Sequence, residues 1–103
     1  MRVRVLKFGG TSLAGIDRIQ TAADRILETL GAGVQPLVVV AAMAGVTDQL
    51  LALGRQLHRD PPGEELDRLL ATGELQTASL LAIALRERGV TARSFSGVEA
   101  GIS

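Results

Sequence analysis

Hydrophobic positions recur along this chain with two different periods. Three short apolar runs read as strands: Val3 to Phe8, Pro36 to Ala41 with Leu37-Val38-Val39-Val40 at its centre, and Val90 to Phe95. The middle run is continuous and rich in β-branched residues, the pattern of a parallel strand covered on both faces. Between the runs, apolar residues fall at helical spacing. Ile16, Ile19, Ala23, Ile26, Leu27 and Leu30 form one stripe, with Asp17, Arg18, Asp24, Arg25 and Glu28 on the other face. Gly31 and Gly33 end that helix. A second helix is predicted from about Asp48 to His58, with Leu50, Leu51, Gly54 and Leu57 on one side, and Asp60-Pro61-Pro62-Gly63 breaks it. A short helix over Glu64–Leu70 follows. A longer one runs over Leu75–Arg88, and the two are separated at Thr72-Gly73-Glu74. Leu80 to Leu85 is apolar on nearly every face, which predicts a buried helix, and Gly89 stops it.

The order β-α-β-α-α-β predicts an α/β fold: a mainly parallel sheet with right-handed crossovers and helices on both faces. Ligands of such sheets bind beyond the carboxyl ends of the strands. Three segments fall there: Gly9–Ser12, Ala42–Asp48 and Ser94–Ala100. The last residues, Ala100 to Ser103, follow the third strand on that ligand side with no closing helix. The sequence therefore reads as part of a longer domain. An apolar sheet edge and face would be left for the remainder to cover, and would invite self-association without it.

Composition narrows the function classes. The 103 residues suit one small domain. Eleven basic residues balance eleven acidic ones, for a formal net charge of zero, which argues against nucleic-acid binding. There is no cysteine, hence no disulfide and no thiolate metal site, and the single histidine, His58, reads as a surface residue. No apolar run approaches the roughly 20 residues needed to span a bilayer. Met1-Arg2-Val3-Arg4 leads into a strand and not into a signal-peptide core, so a cytoplasmic location is the expectation. With Phe8 and Phe95 the only aromatic residues, the core must be aliphatic.

The chemistry concentrates at Lys7-Phe8-Gly9-Gly10-Thr11-Ser12. Paired glycines after a strand let backbone N–H groups approach a phosphate and tolerate positive φ. A following helix adds its positive end, and Lys7 a full charge, a combination that suits phosphoryl transfer. A tight strand-to-helix turn explains the same residues equally simply. Neither the P-loop pattern nor the dinucleotide fingerprint is present. After the second strand, Ala42-Met43-Ala44-Gly45-Val46-Thr47-Asp48 offers small residues and a hydroxyl to a ligand, or Thr47 or Asp48 simply caps the next helix. Glu74 is expected in the first turn of the buried helix. There it complements the dipole or binds an ammonium group from apolar surroundings. Ser94 to Gly101 lines a pocket or forms an ordinary loop; nothing physical decides.

Taken together, these segments resemble the aspartate kinases of the amino-acid kinase family. Lys7–Ser12 is similar to K-F-G-G-T-S, Ala41–Asp48 to S-A-M-x-G-V-T-D, Leu69–Glu74 to L-L-S-T-G-E, and Ser94–Ile102 to S-F-T-G-x-Q-A-G-I. The four motifs occur in order and cover the whole chain, 1–103, as the amino-terminal portion of such a kinase domain. The resemblance implies a three-layer α/β/α fold and ATP-dependent phosphorylation of the aspartate side-chain carboxylate, the step that opens lysine, threonine and methionine biosynthesis. It implies that Lys7 stabilises the transferred phosphoryl group, that Gly9 and Gly10, with Thr11 and Ser12, hold ATP phosphates, and that Thr47 and Glu74 bind aspartate, Glu74 through the amine. It implies Mg2+ as well as ATP, with the metal ligands outside this chain. The partner would be the remainder of the kinase domain or a full-length kinase chain. Ala41 and Ala71 stand where the family has serine, and Glu99 where it has glutamine. Two alternatives remain: another family member, such as an acetylglutamate or uridylate kinase, and a non-catalytic kinase-like module that pairs with a kinase.

Overall fold

The computed structural model describes residues 2–95. Two strands form, β1 (Arg2–Phe8) and β2 (Val34–Val40), paired in parallel from Arg2 opposite Val34 to Phe8 opposite Val40. A three-residue 3-10 turn at Thr11–Leu13 and helix α1 (Ile16–Gly31) connect them. Helix α2 (Val46–Leu57) and helix α3 (Gly63–Glu87) follow β2. The parallel pairing of the first two predicted strands is therefore present, with boundaries shifted by one or two residues.

The core forms because α1 carries an apolar stripe and the sheet alternates. Leu6, Phe8, Val38 and Val40 point to one face, where they meet Ile19, Ala22, Ala23 and Ile26 of α1 and Leu81 and Leu85 of α3. The opposite face carries Val3, Val5, Leu37 and Val39, all between 44% and 63% exposed. Among the described residues, helices thus cover one face of the sheet. The expectation of a doubly covered β2 fails for this reason: its alternate side chains have no layer to meet.

Three further expectations are corrected. Val90–Phe95 forms no strand. Its backbone turns back on α3 instead: Val90 N–H donates to Leu85 O at 3.0 Å, Ala92 N–H to Val90 O at 2.9 Å, and Arg86 Nε to Ala92 O at 2.8 Å. The two predicted helices over 64–88 are one. Thr72-Gly73-Glu74 does not break it, because none of these residues lacks the N–H that the helical ladder needs; glycine costs a helix interior only about 1 kcal/mol. Nor is Leu80–Leu85 buried all round, since Ile83 is 64% exposed where the sheet and α1 do not reach.

One polar clamp ties the helices together. Arg88, just beyond α3, donates from Nε to Asp24 Oδ1 at 3.0 Å and from Nη2 to Gln20 Oε1 at 2.7 Å, both on α1, and from Nη1 to Ala84 O at 2.8 Å. His58 lies exposed after α2, where its Nδ1 accepts the Asp60 N–H at 3.0 Å.

Ile26 sits at 1% exposure between α1 and the sheet, whereas Leu57 at the end of α2 is 90% exposed. Ile26→Ala is expected to cost about 2–5 kcal/mol of unfolding free energy, and Leu57→Ala no more than about 0.5 kcal/mol. Urea titrations of the two variants check the ordering.

Candidate functional site

The parallel pairing brings the loop after β1 and the loop after β2 to the same end of the sheet. They are joined by direct contacts. Ala41 N–H donates to Phe8 O at 3.1 Å, and Ala44 N–H donates to Gly10 O at 3.2 Å. A methyl group on Gly10 would lie 3.1 Å from the Ala42 carbonyl oxygen, closer than ordinary side-chain contacts. Glycine is therefore needed at 10 for clearance. Its conformation is right-handed helical, φ −58° and ψ −39°, so the freedom to take positive φ is not what the position uses.

Thr11 and Ser12 occupy the 3-10 turn, and α1 begins only at Ile16 after Gly15, whose φ is 99°. The expected helix end at the glycine pair is thus replaced by a short turn. Ser12 N–H donates to Gly9 O and Leu13 N–H to Gly10 O, each at 3.1 Å, which closes that turn. Among the described residues, no backbone acceptor takes the N–H of Gly10 or Thr11. Lys7 is exposed. It shares the uncovered sheet face with Val5 and Val39, one residue out of phase with Leu6 and Phe8.

Helix α2 starts one or two residues before its expected caps, Thr47 and Asp48. Gly45, left-handed at φ 87°, precedes Val46, so Thr47 and Asp48 lie inside the first turn and cap nothing. Both are exposed. Glu74 lies in the middle of α3, not in a first turn, and it too is exposed. Its carboxylate therefore meets solvent, and no burial cost demands a charged partner for it, contrary to expectation.

Gly73, the residue before Glu74, packs against the β2–α2 loop. It is buried, and a methyl group there would lie 3.0 Å from Ala42 Cβ, 3.2 Å from Val46 Cγ1 and 3.5 Å from Leu50 Cδ1. The Thr77 hydroxyl, itself fully buried, donates to Gly73 O at 3.1 Å. A chain of contacts therefore runs from Gly10 through Ala42 to Gly73. The sequence shows small residues at all three positions, yet nothing in it pairs them.

A shallow depression of about 280 Å³ lies elsewhere, between β1 and α1. Arg4, Leu6, Phe8, Arg25, Glu28, Thr29 and Ala32 line it, and none of Lys7, Gly9, Gly10, Thr11, Thr47 or Glu74 does. Ser12 lines a second, smaller depression with Phe8, Arg18, Thr21, Ala22 and Arg25. Among the described residues, no three acidic or imidazole groups gather to hold a metal ion. Ser96–Ile102, the rest of the fourth motif, falls outside the described residues.

Residues 2–103 match the model of the amino acid kinase family. The chain belongs to that family. It is 47% identical over 103 residues to the aspartokinase of Bacillus sp. (strain MGA3), covering 100% of this chain and 25% of that protein. With the aspartokinase of Helicobacter pylori (strain ATCC 700392 / 26695) the identity is 46% over 98 residues, 95% of this chain and 24% of that one. The crystal structure of aspartate kinase from Synechocystis superposes with a TM-score of 0.81 at 44% identity, over 84% of this chain and 15% of that chain. The fold is thus the α/β fold of this family, present in part. The chain spans about a quarter of the length of the curated relatives it matches.

Position 10 gives a test of the loop contact. A methyl group on Gly9 would meet nothing within 4 Å, whereas one on Gly10 would face Ala42 O at 3.1 Å. Gly10→Ala is expected to cost about 1–3 kcal/mol through overpacking. Gly9→Ala should be neutral or stabilise by up to about 1 kcal/mol through the unfolded chain. Denaturant unfolding of both variants decides.

Proposed function

We propose that this chain is the amino-terminal portion of the kinase domain of an aspartate kinase. With the remainder of that domain, it would transfer a phosphoryl group from ATP to the aspartate side-chain carboxylate. The observation that carries the reading is the contact of Gly10 with Ala42. It sets the Lys7–Ser12 loop against the Ala42–Thr47 loop, as an acceptor and a phosphate held in line require.

In this reading the Gly10 and Thr11 N–H groups, with Gly9 and Ser12 beside them, cradle ATP phosphates. Lys7 neutralises charge that spreads over the transferring group. Thr47 donates a hydrogen bond to aspartate, and Glu74 pairs with its ammonium group. ATP, when bound, supplies the phosphoryl group, and Mg2+ would be held by residues outside this chain. A carboxylate oxygen of aspartate attacks the γ-phosphorus as the bond to the β-phosphate oxygen breaks, giving aspartyl phosphate and ADP. Lys7 lies on the sheet face that the described residues leave bare, which fits a site completed by the rest of the domain. A cytoplasmic location belongs to this reading; no helix among the described residues is long and apolar enough to cross a membrane.

In the complete kinase chain, Lys7→Ala is expected to lower kcat about 100- to 1,000-fold, since it removes a charge aimed at the transition state. Glu74→Ala should raise the aspartate KM about 10- to 100-fold, the worth of a charge-assisted hydrogen bond. Steady-state kinetics with hydroxamate trapping measure both, and two unaffected variants reject these roles. The 103-residue chain alone should give no turnover above its Lys7→Ala control.

The bare sheet face yields a separate expectation. Val5 and Leu37, paired across β1 and β2, are 54% and 58% exposed. The isolated chain should self-associate through this face, and Val5→Lys with Leu37→Lys should shift it toward monomer. Sedimentation velocity at several concentrations reads the change.

A further inference from the structure

Ala42 is held from two sides. Its carbonyl oxygen faces Gly10, where a methyl would approach to 3.1 Å, and its Cβ faces Gly73, where a methyl would approach to 3.0 Å. The Ala44 N–H, two residues on, donates to Gly10 O at 3.2 Å, so the loop cannot retreat from α3 without pressing on the glycine pair or losing that bond. On the α3 side, Gly73 is fixed by the helix and by the buried Thr77 hydroxyl on its carbonyl. Val46, in the first turn of α2 beside Thr47, also bears on Gly73, at 3.2 Å from where its methyl would lie. The spacing between α3 and the Lys7–Ser12 loop is therefore set by one alanine seated between two glycines.

We propose that Gly73 is a positioning residue for phosphoryl transfer: its missing side chain sets how closely the acceptor-side elements approach the phosphate-side loop. This rests on the aspartate kinase reading above. Gly73 touches neither substrate. It acts through Ala42, and the alanine acts on Gly10. A methyl at 73 drives Ala42 toward Gly10 by a few tenths of an ångström, and the two half-sites shift relative to each other. Chemistry that depends on alignment is sensitive to such shifts, whereas binding by Glu74 and Thr47 is retained.

The test is a double-mutant cycle in the complete kinase chain. Gly73→Ala is expected to lower kcat by tenfold or more, with the KM values for aspartate and ATP changed by less than about threefold. Adding Ala42→Gly removes the methyl that Gly73→Ala strikes, and should restore most of the lost kcat. Overlapping circular-dichroism spectra establish that the variants are folded. A Gly73→Ala kcat within twofold of wild type overturns the proposal. So does a folded double variant no faster than the single one. If the wild-type chain itself fails to phosphorylate aspartate, the aspartate kinase reading fails instead. The same cycle read by urea midpoint then still decides the contact: the double variant should unfold at higher urea than Gly73→Ala, and an equal or lower midpoint refutes the coupling of 42 and 73.

Discussion

The parallel register of β1 with β2 is the constraint on which the rest depends. Because both strands run the same way, the segments that leave their carboxyl ends must emerge side by side. Those segments are rich in small residues, and small residues permit the approach that the hydrogen bond from Ala44 to Gly10 requires. An antiparallel pairing of the same strands would send the two loops to opposite ends, and no site could form between them. The register itself is maintained by the inner face, where Leu6, Phe8, Val38 and Val40 meet the buried stripe of α1. A one-residue slip of either strand would turn its own two inner side chains outward.

That same alternation explains why the molecule looks half-finished. Leu6, Phe8, Val38 and Val40, which face α1 and α3, are buried or half-buried, and Val5, Lys7, Leu37 and Val39 between and beside them are exposed. Lys7 belongs to the bare set. Its charge therefore stands on the side of the sheet where the described residues place no layer, at the strand end where ligands of α/β folds bind. An exposed cation at that strand end fits the proposal of a transfer site completed by the rest of the domain.

Short apolar runs located β1 and β2, and helical spacing of apolar residues located α1 and α2. The apolar stripe of α1 named its own core residues, Ile19, Ala23 and Ile26. Val90–Phe95 misled, because an apolar run states a preference for strand and not the presence of a neighbour to pair with. Its carbonyl at Ala92 found the Arg86 guanidinium instead. Thr72-Gly73-Glu74 misled for the opposite reason: glycine reads as a stop, yet mid-helix it can serve as clearance. The Lys7–Ser12 loop, the Thr47 segment and Glu74 were all legible as motifs. What tied them together was not. The Gly10–Ala42–Gly73 contacts and the Arg88 clamp join residues more than 30 and more than 60 positions apart respectively, and single-sequence patterns carry no signal at such separations.

The central claim is that the ends of β1 and β2, with α3 beside them, make up part of one phosphoryl-transfer site. A crystal structure of the complete kinase chain with a non-hydrolysable ATP analogue and aspartate tests it most directly. The account predicts the terminal phosphates against Gly9, Gly10 and Lys7, and the aspartate ammonium at Glu74 with its carboxylate near Thr47. Phosphates seated away from the Gly9–Gly10 loop, or aspartate bound with no contact to Glu74 or Thr47, would contradict it.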